Sequence, residues 1–183
     1  MGAGTIGLVN LLVAKSMGAA KIIIVDINED RLSKAKQMGA YKALNIKISN
    51  PKERAKFIKQ QFDGCEPDVT IECTGVESCI QTSIYATKTG GCVVIVGMGK
   101  DDINFPIIDL CCREIDLRGI FRYCNTYPTA INMLSSGAVK VDGLVTHRVS
   151  LANAQEGFEM TRDGKGIKTM IDCSAEGNCK ILK

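Results

Sequence analysis

The residues best able to do chemistry stand at the start of the chain. Gly2, Gly4 and Gly7 form a G-x-G-x-x-G turn, GAGTIG, that runs straight into an apolar stretch. Each glycine has a physical role in such a turn. The first makes the tight bend, the second lets the backbone approach a pyrophosphate, and the third lets the following helix sit close to a sheet. The N–H groups at the helix start, from Thr5 and Ile6 onward, point at the phosphates, and the positive end of the helix dipole favours their charge. A dinucleotide site also needs an acid about 20 residues further on, to bind the adenosine ribose hydroxyls. Asp26 lies nineteen residues beyond Gly7 and closes the run IIIVD. Its carboxylate would repel a 2′-phosphate, which favours NAD over NADP. Arg31, five residues on, keeps NADP open, because a nearby guanidinium can accept a 2′-phosphate.

The elements around this turn must deliver it to a sheet edge. Residues 6–17 read as a helix apolar almost all round, hence buried on more than one side, and Gly18 stops it. KIIIVD is a short β-branched run, as a central parallel strand should be. NEDRLSKAKQM is a second helix with an Asn cap and acids in its first turn, ending at Gly39. Met-Gly-Ala occurs twice, at 17–19 and 38–40, each time closing a helix before a strand. The alternation then continues: strand KALNI, helix PKERAKFIKQQF, strand DVTIEC, helix ESCIQTSIYATK, strand CVVIVG, short helix IIDLCCRE, strand EIDLRGIF and helix PTAINMLSSG. Strict alternation of this kind implies βαβ units, and so an α/β fold with a doubly wound parallel sheet. Near Val141 the pattern changes to strand LVTHRVSL, helix LANAQEGFEMTRDG and strand GIKTMIDC. This divides the chain into residues 1–140 and a tail, 141–183, that either extends the sheet or belongs to a second domain.

In a doubly wound sheet ligands bind at the carboxyl edge, where the strands end. Strand ends at Thr74-Gly75, Val96-Gly97-Met98 and Phe121-Arg122 therefore join Asp26 as candidates. The small residues among them suit a flat nicotinamide. The single histidine, His147, lies beyond the dinucleotide units and reads as structural rather than as a base. No Cys/His/Glu set has metal-ligand spacing, so no zinc site is expected within the chain. Nine cysteines without any C-x-x-C pair or secretory signal read as reduced thiols. Ile6 replaces the Ser or Thr that a myristoylation signal requires. The net charge of +3 and the mixed stretch PKERAKFIK argue against a nucleic-acid partner, and no apolar run reaches a membrane span.

Several stretches carry a family resemblance: GAGTIGLVNLLVAKSMGA, VDINEDRLSKAKQMGA, VTIECTGVESCIQTSIYATKTGG, FRYCNTYPTAINML and LVTHRVSL. Together they resemble the polyol-oxidising branch of the zinc-dependent medium-chain dehydrogenase/reductase family, across nearly all of the chain and least at 44–66 and in the last ten residues. FRYCNTYP is the stretch that separates this branch from other members, and it argues against a zinc-free reductase. The resemblance implies a Rossmann domain that binds NAD through Ile6, Asp26, Arg31, Val96, Gly97, Met98, Ile120, Phe121 and Arg122. It implies that Arg122 and Tyr123 reach the hydroxyls of a small-molecule polyol substrate; Arg122 can donate from a rigid fork. It further implies a cytoplasmic homotetramer in the full-length enzyme.

In that family the glycine turn follows a first Rossmann strand, and the catalytic zinc is held by a GroES-like domain. Met1 alone precedes Gly2 here. The chain is therefore expected to be the C-terminal, NAD-binding portion of such an enzyme, lacking the first strand, with its tail returning toward the catalytic domain. Two strand edges are then expected to face an empty slot, and the chain alone is expected not to oxidise its polyol. The alternative from another class is a short, non-catalytic NAD-binding or subunit-binding module.

Overall fold

The structure is a computed structural model that describes residues 1–174. Two compact units make up the chain, Met1–Val139 and Lys140–Lys183. In the first, helices and strands alternate: α1 (Thr5–Ser16), β1 (Ile23–Val25), α2 (Glu29–Gln37), β2 (Lys42–Leu44), α3 (Pro51–Gln60), β3 (Val69–Glu72), α4 (Glu77–Ala86), β4 (Cys92–Ile95), α5 (Ile107–Cys112), β5 (Asp116–Gly119) and α6 (Tyr127–Ser135). Every strand pair is parallel. β1 pairs with β2 in the register Ile24↔Ala43. β4 lies between β3 and β5, with Ile71↔Val94 and Val94↔Arg118. This is the Rossmann-type α/β architecture expected from the alternation.

No ladder joins β1 to β3. The Met1–Gly2 backbone spans that gap instead. The Met1 amino group donates to the Ile71 carbonyl at 2.7 Å. The Met1 carbonyl accepts from Cys73 N–H at 3.0 Å, and Gly2 N–H donates to the Val25 carbonyl at 2.7 Å. Met1 thus sits in parallel register with Glu72, as the last residue of a strand between β1 and β3 would. The slot expected to be empty has its upper end closed by two residues.

Local chemistry explains the helix ends. Asn28 caps α2, its side-chain oxygen accepting Arg31 N–H at 3.0 Å. Asn50 caps α3 through Lys52 and Glu53 N–H, with Pro51 at the first helical position. The two Met-Gly-Ala repeats end α1 and α2 in the same way. Gly18 and Gly39 take positive φ, 88° and 98°. Ala19 N–H then reaches back to the Ala14 carbonyl and Ala40 N–H to that of Ala35, each at 3.0 Å. α4 stops two residues before its expected end because Thr87 turns extended. Its hydroxyl bonds the Ser83 carbonyl at 2.8 Å and lies 2.7 Å from the Thr70 hydroxyl, tying the helix end to β3.

Successive strand side chains point to opposite faces. Val25 enters a cluster with Ile46, Ala55, Ile58, Phe62 and Ala86, beneath α3 and α4. Ile80, Ile84, Val93 and Ile115 form a second cluster. One expectation needs correction. α1 is apolar almost all round, yet only Gly7, Leu8 and Leu11 are buried, and Ile6 remains 48% exposed. The helix buries a stripe because described neighbours cover one side of it. β5 is an exposed edge strand, and α6 has no buried residue.

The second unit is a single βαβ turn. β6 (Val145–Ser150) and β7 (Lys168–Asp172) pair in parallel across α7 (Ala154–Arg162). The helix expected over 151–164 begins as a 3₁₀ turn, Leu151–Asn153. Gly157 lets α7 sit against β6, since a Cβ there would stand 2.9 Å from Val149 Cγ2. Among the described residues no helix is long and apolar enough to cross a membrane.

At the amino ends of β1 and β2, Asp63 gathers three partners. Lys21 lies 3.1 Å away and Lys42 3.5 Å, and the Tyr41 hydroxyl donates to the same carboxylate. These hydrogen bonds hold the Asp63 carboxyl down at about 2 and offset a left-handed backbone, φ 55°. A depressed carboxyl stabilises the fold above its unfolded value, 3.8, and loses that contribution as pH falls towards about 2. Asp63→Asn keeps a residue that tolerates the backbone but removes the charge. It should destabilise the chain at neutral pH, and the gap from wild type should close across that acid window in thermal melts.

Candidate functional site

The glycine turn is built as phosphate chemistry requires. Gly2 has φ 91°, and a Cβ there would meet Thr74 Cγ2 at 3.0 Å. At Gly7 a Cβ would stand 2.0 Å from the Gly2 carbonyl oxygen, so only glycine allows α1 to start so close to the turn. Gly4 differs from both. Nothing lies within 4 Å of a Cβ built on it, so its missing side chain leaves open space beside the helix start. No side chain caps α1, and its first turn holds no acid. The positive end of its dipole therefore meets that space with no acid from the helix's own first turn, which fits an anionic phosphate.

Asp26 follows β1 and turns back onto this loop. Its Oδ2 accepts Ala3 N–H at 2.6 Å, and Oδ1 accepts Asn28 N–H at 2.9 Å. Each carboxylate oxygen keeps a further lone pair for a ribose hydroxyl. Through Asn28, which caps α2 at Arg31 N–H, the same network fixes where Arg31 begins.

The second pair of loops interlocks by backbone contact. Gly75 has φ 72°, and a Cβ on it would meet the Met98 carbonyl at 2.5 Å. A Cβ on Gly97 would stand 2.1 Å from Gly75 N, and one on Gly99 1.8 Å from Gly75 O. Val96 and Gly97 N–H both donate to the Glu72 carbonyl, and Ile120 N–H donates to that of Ile95. Residues 2–7, 26, 74–75, 96–98 and 120–122 thus adjoin one another along the carboxyl edge of the strands. Gly75 and Gly97 have a packing reason to be glycine, whatever ligand they face.

The loop after β5 is exposed and shaped by its own side chains. Arg122 and Asn125 take left-handed φ, 55° and 54°. The Arg122 guanidinium lies 5.0 Å from the Phe121 ring centroid, a cation–π approach. Tyr123 and Tyr127 meet edge to face at 5.5 Å and 71°. His147 lies on β6 with Nδ1 2.9 Å from the Thr146 hydroxyl.

Sequence reasoning missed Glu72. It is fully buried, and its carboxylate holds the Thr74–Gly75 turn. The signal was an acid inside the apolar strand DVTIEC. Nearby, burial pushes the Cys73 thiol above its ordinary value. Among the described residues no three His, Cys, Asp or Glu side chains lie together as a metal would require. The described residues by themselves therefore supply no zinc-ligand set.

The fold and this edge define a Rossmann-type dinucleotide domain of the kind found in oxidoreductases. A zinc-binding dehydrogenase model matches residues 5–136, and the chain belongs to that family. It is 51% identical to the sorbitol dehydrogenase of Homo sapiens and 48% to that of Gallus gallus, each over 172 residues. Both alignments cover 94% of this chain and 48% of the relative, so the chain spans about half the length of the curated relatives it matches. The solved 2R,3R-butanediol dehydrogenase of Bacillus subtilis superposes with TM-score 0.82 at 26% identity, covering 94% of this chain and 49% of that one.

The glycine geometry separates folding from binding. Gly7→Ala should destabilise the chain by about 1–3 kcal/mol, the usual cost of overpacking. Gly4→Ala should leave stability within about 0.5 kcal/mol of wild type while weakening binding of a phosphate-bearing ligand at the start of α1. Denaturant melts and calorimetric titration of the two variants check this pair of outcomes.

Proposed function

We propose that this chain is the NAD-binding part of a polyol dehydrogenase that oxidises a secondary alcohol of a sugar alcohol to a ketose. The observation that carries the reading is the Asp26–Ala3 hydrogen bond, which seats the ribose-binding carboxylate on the glycine turn. NAD, when bound, supplies the acceptor for the hydride leaving the carbinol carbon. The chain's own residues do the holding. The N–H groups at the start of α1 bind the pyrophosphate, and Gly4 leaves it room. Asp26 accepts the adenosine ribose hydroxyls and disfavours a 2′-phosphate. Thr74, Gly75, Val96, Gly97 and Met98 wall the nicotinamide, with Ile120 and Phe121 beside them. Arg122 and Tyr123 direct the polyol from the exposed loop that follows β5.

The similarity to sorbitol dehydrogenases supports a polyol substrate, and in the full-length protein we place zinc and proton handling outside residues 1–174. A homotetramer is the assembly we propose for that protein. The open edge of β5 and the exposed Leu117, Ile131 and Leu134 support a subunit contact there.

Calorimetry on the purified 183-residue chain tests the proposal. It should bind NAD, and Asp26→Ala should weaken binding about tenfold or more, the worth of hydrogen bonds to a charged group. Sorbitol with NAD should yield no NADH. Failure to bind NAD overturns the reading, and turnover by the chain alone overturns the placement of zinc and proton chemistry outside it.

A further inference from the structure

Glu72 closes β3 at the centre of the carboxyl edge, with no exposed surface. Its carboxylate is fully committed to the turn that follows. Oε1 accepts Thr74 N–H at 2.8 Å and also the Thr74 hydroxyl. Oε2 accepts Gly75 N–H at 2.9 Å. The Thr74 hydroxyl in turn accepts Val76 N–H at 3.0 Å, carrying the network into the start of α4. The same residue's carbonyl accepts Val96 N–H at 2.8 Å and Gly97 N–H at 2.9 Å. One residue therefore fixes two loops, through its side chain on one and its backbone on the other.

The glycine contacts make those loops move together. Gly75 touches the backbone at Met98 and Gly99 with no side chain between them, and Gly97 abuts Gly75 N. A shift of the Thr74–Gly75 turn must push the Val96–Met98 loop, because backbone pressed on backbone has no rotamer to yield. In a doubly wound sheet the adenosine lies over the half that carries the ribose acid, here β1 and α1. The other nucleotide lies over the half formed by β3, β4 and β5. Asp26, Ala3 and Gly4 make no hydrogen bond to the Glu72 carboxylate.

We propose that Glu72 is a positioning residue for the nicotinamide half of the site, with no part in binding the adenosine half. This rests on the NAD-binding reading. The carboxylate only accepts hydrogen bonds, which suits three donors converging on it. An amide in its place sets an NH₂ group against the N–H of Thr74 or of Gly75. One turn amide then loses its acceptor, and the turn moves off it. The Thr74 methyl also stands against Gly2, but the amides that lose their acceptor belong to the Thr74–Gly75 turn, so the larger consequence falls on the walls around the nicotinamide.

The test compares two probes on the same chain, NAD and AMP, by calorimetric titration. Glu72→Gln should weaken NAD binding about tenfold or more, while AMP binding stays within about twofold of wild type. Thr74→Val removes the hydroxyl from the network at nearly constant shape. It should give the same split, with NAD weakened about threefold, and it decides the matter where Glu72→Gln fails to fold. Equal loss of AMP and NAD in a folded variant overturns the proposal, as does NAD affinity unchanged in both variants. Wild-type chain that binds neither probe overturns the NAD-binding reading, and this inference with it; wild-type binding of both with no split overturns the inference alone.

Discussion

Two residues of extended backbone hold the Rossmann unit together at its centre. Met1 and Gly2 make three hydrogen bonds, two to the β3 side and one to β1, and they are the described backbone that links the two half-sheets by hydrogen bonding. The same two residues start the glycine turn. Gly2 must bend tightly at once, because its carbonyl oxygen is the surface on which Gly7 rests. The position of α1, and the direction of its positive end, follow from that contact. Asp26 then locks the bend from the other side through Ala3 N–H. Sheet integrity and phosphate geometry therefore share one short segment.

Much of this was legible in residue order. The alternation of apolar runs with capped helices gave the parallel architecture, since a strand such as IIIVD buried on both faces has to be apolar throughout. Asn28, Asn50, Gly18 and Gly39 marked helix ends by mechanisms that need no tertiary partner. The glycine turn and Asp26 were readable because the spacing between them reflects one strand and one helix, lengths fixed by local geometry.

What was not legible depended on contacts between distant segments. The apolarity of α1 describes what the helix can bury, and the number of sides covered depends on neighbours that periodicity does not specify. Glu72 was overlooked because a strand acid reads as an exception until its three donors are seen. Gly75 and Gly97 were read for a ligand, and their spacing carries no trace of the backbone crossing that also demands glycine there. The early end of α4 comes from Thr87 finding Thr70 across the structure, a pairing between residues seventeen positions apart.

The crossing at Gly75, Gly97 and Gly99 also bears on how such a site can diversify. Two backbone segments, 74–75 and 97–99, meet there at contact distance, so no side chain can be added at these positions without separating the loops. Any retuning of the pocket floor, for a different ring or a different alcohol, has to come from the neighbours that still project side chains: Thr74, Val96 and Met98. Met98 is largely exposed and unbranched, and so can change shape and size at little packing cost. The rigid floor confines evolutionary change to its rim.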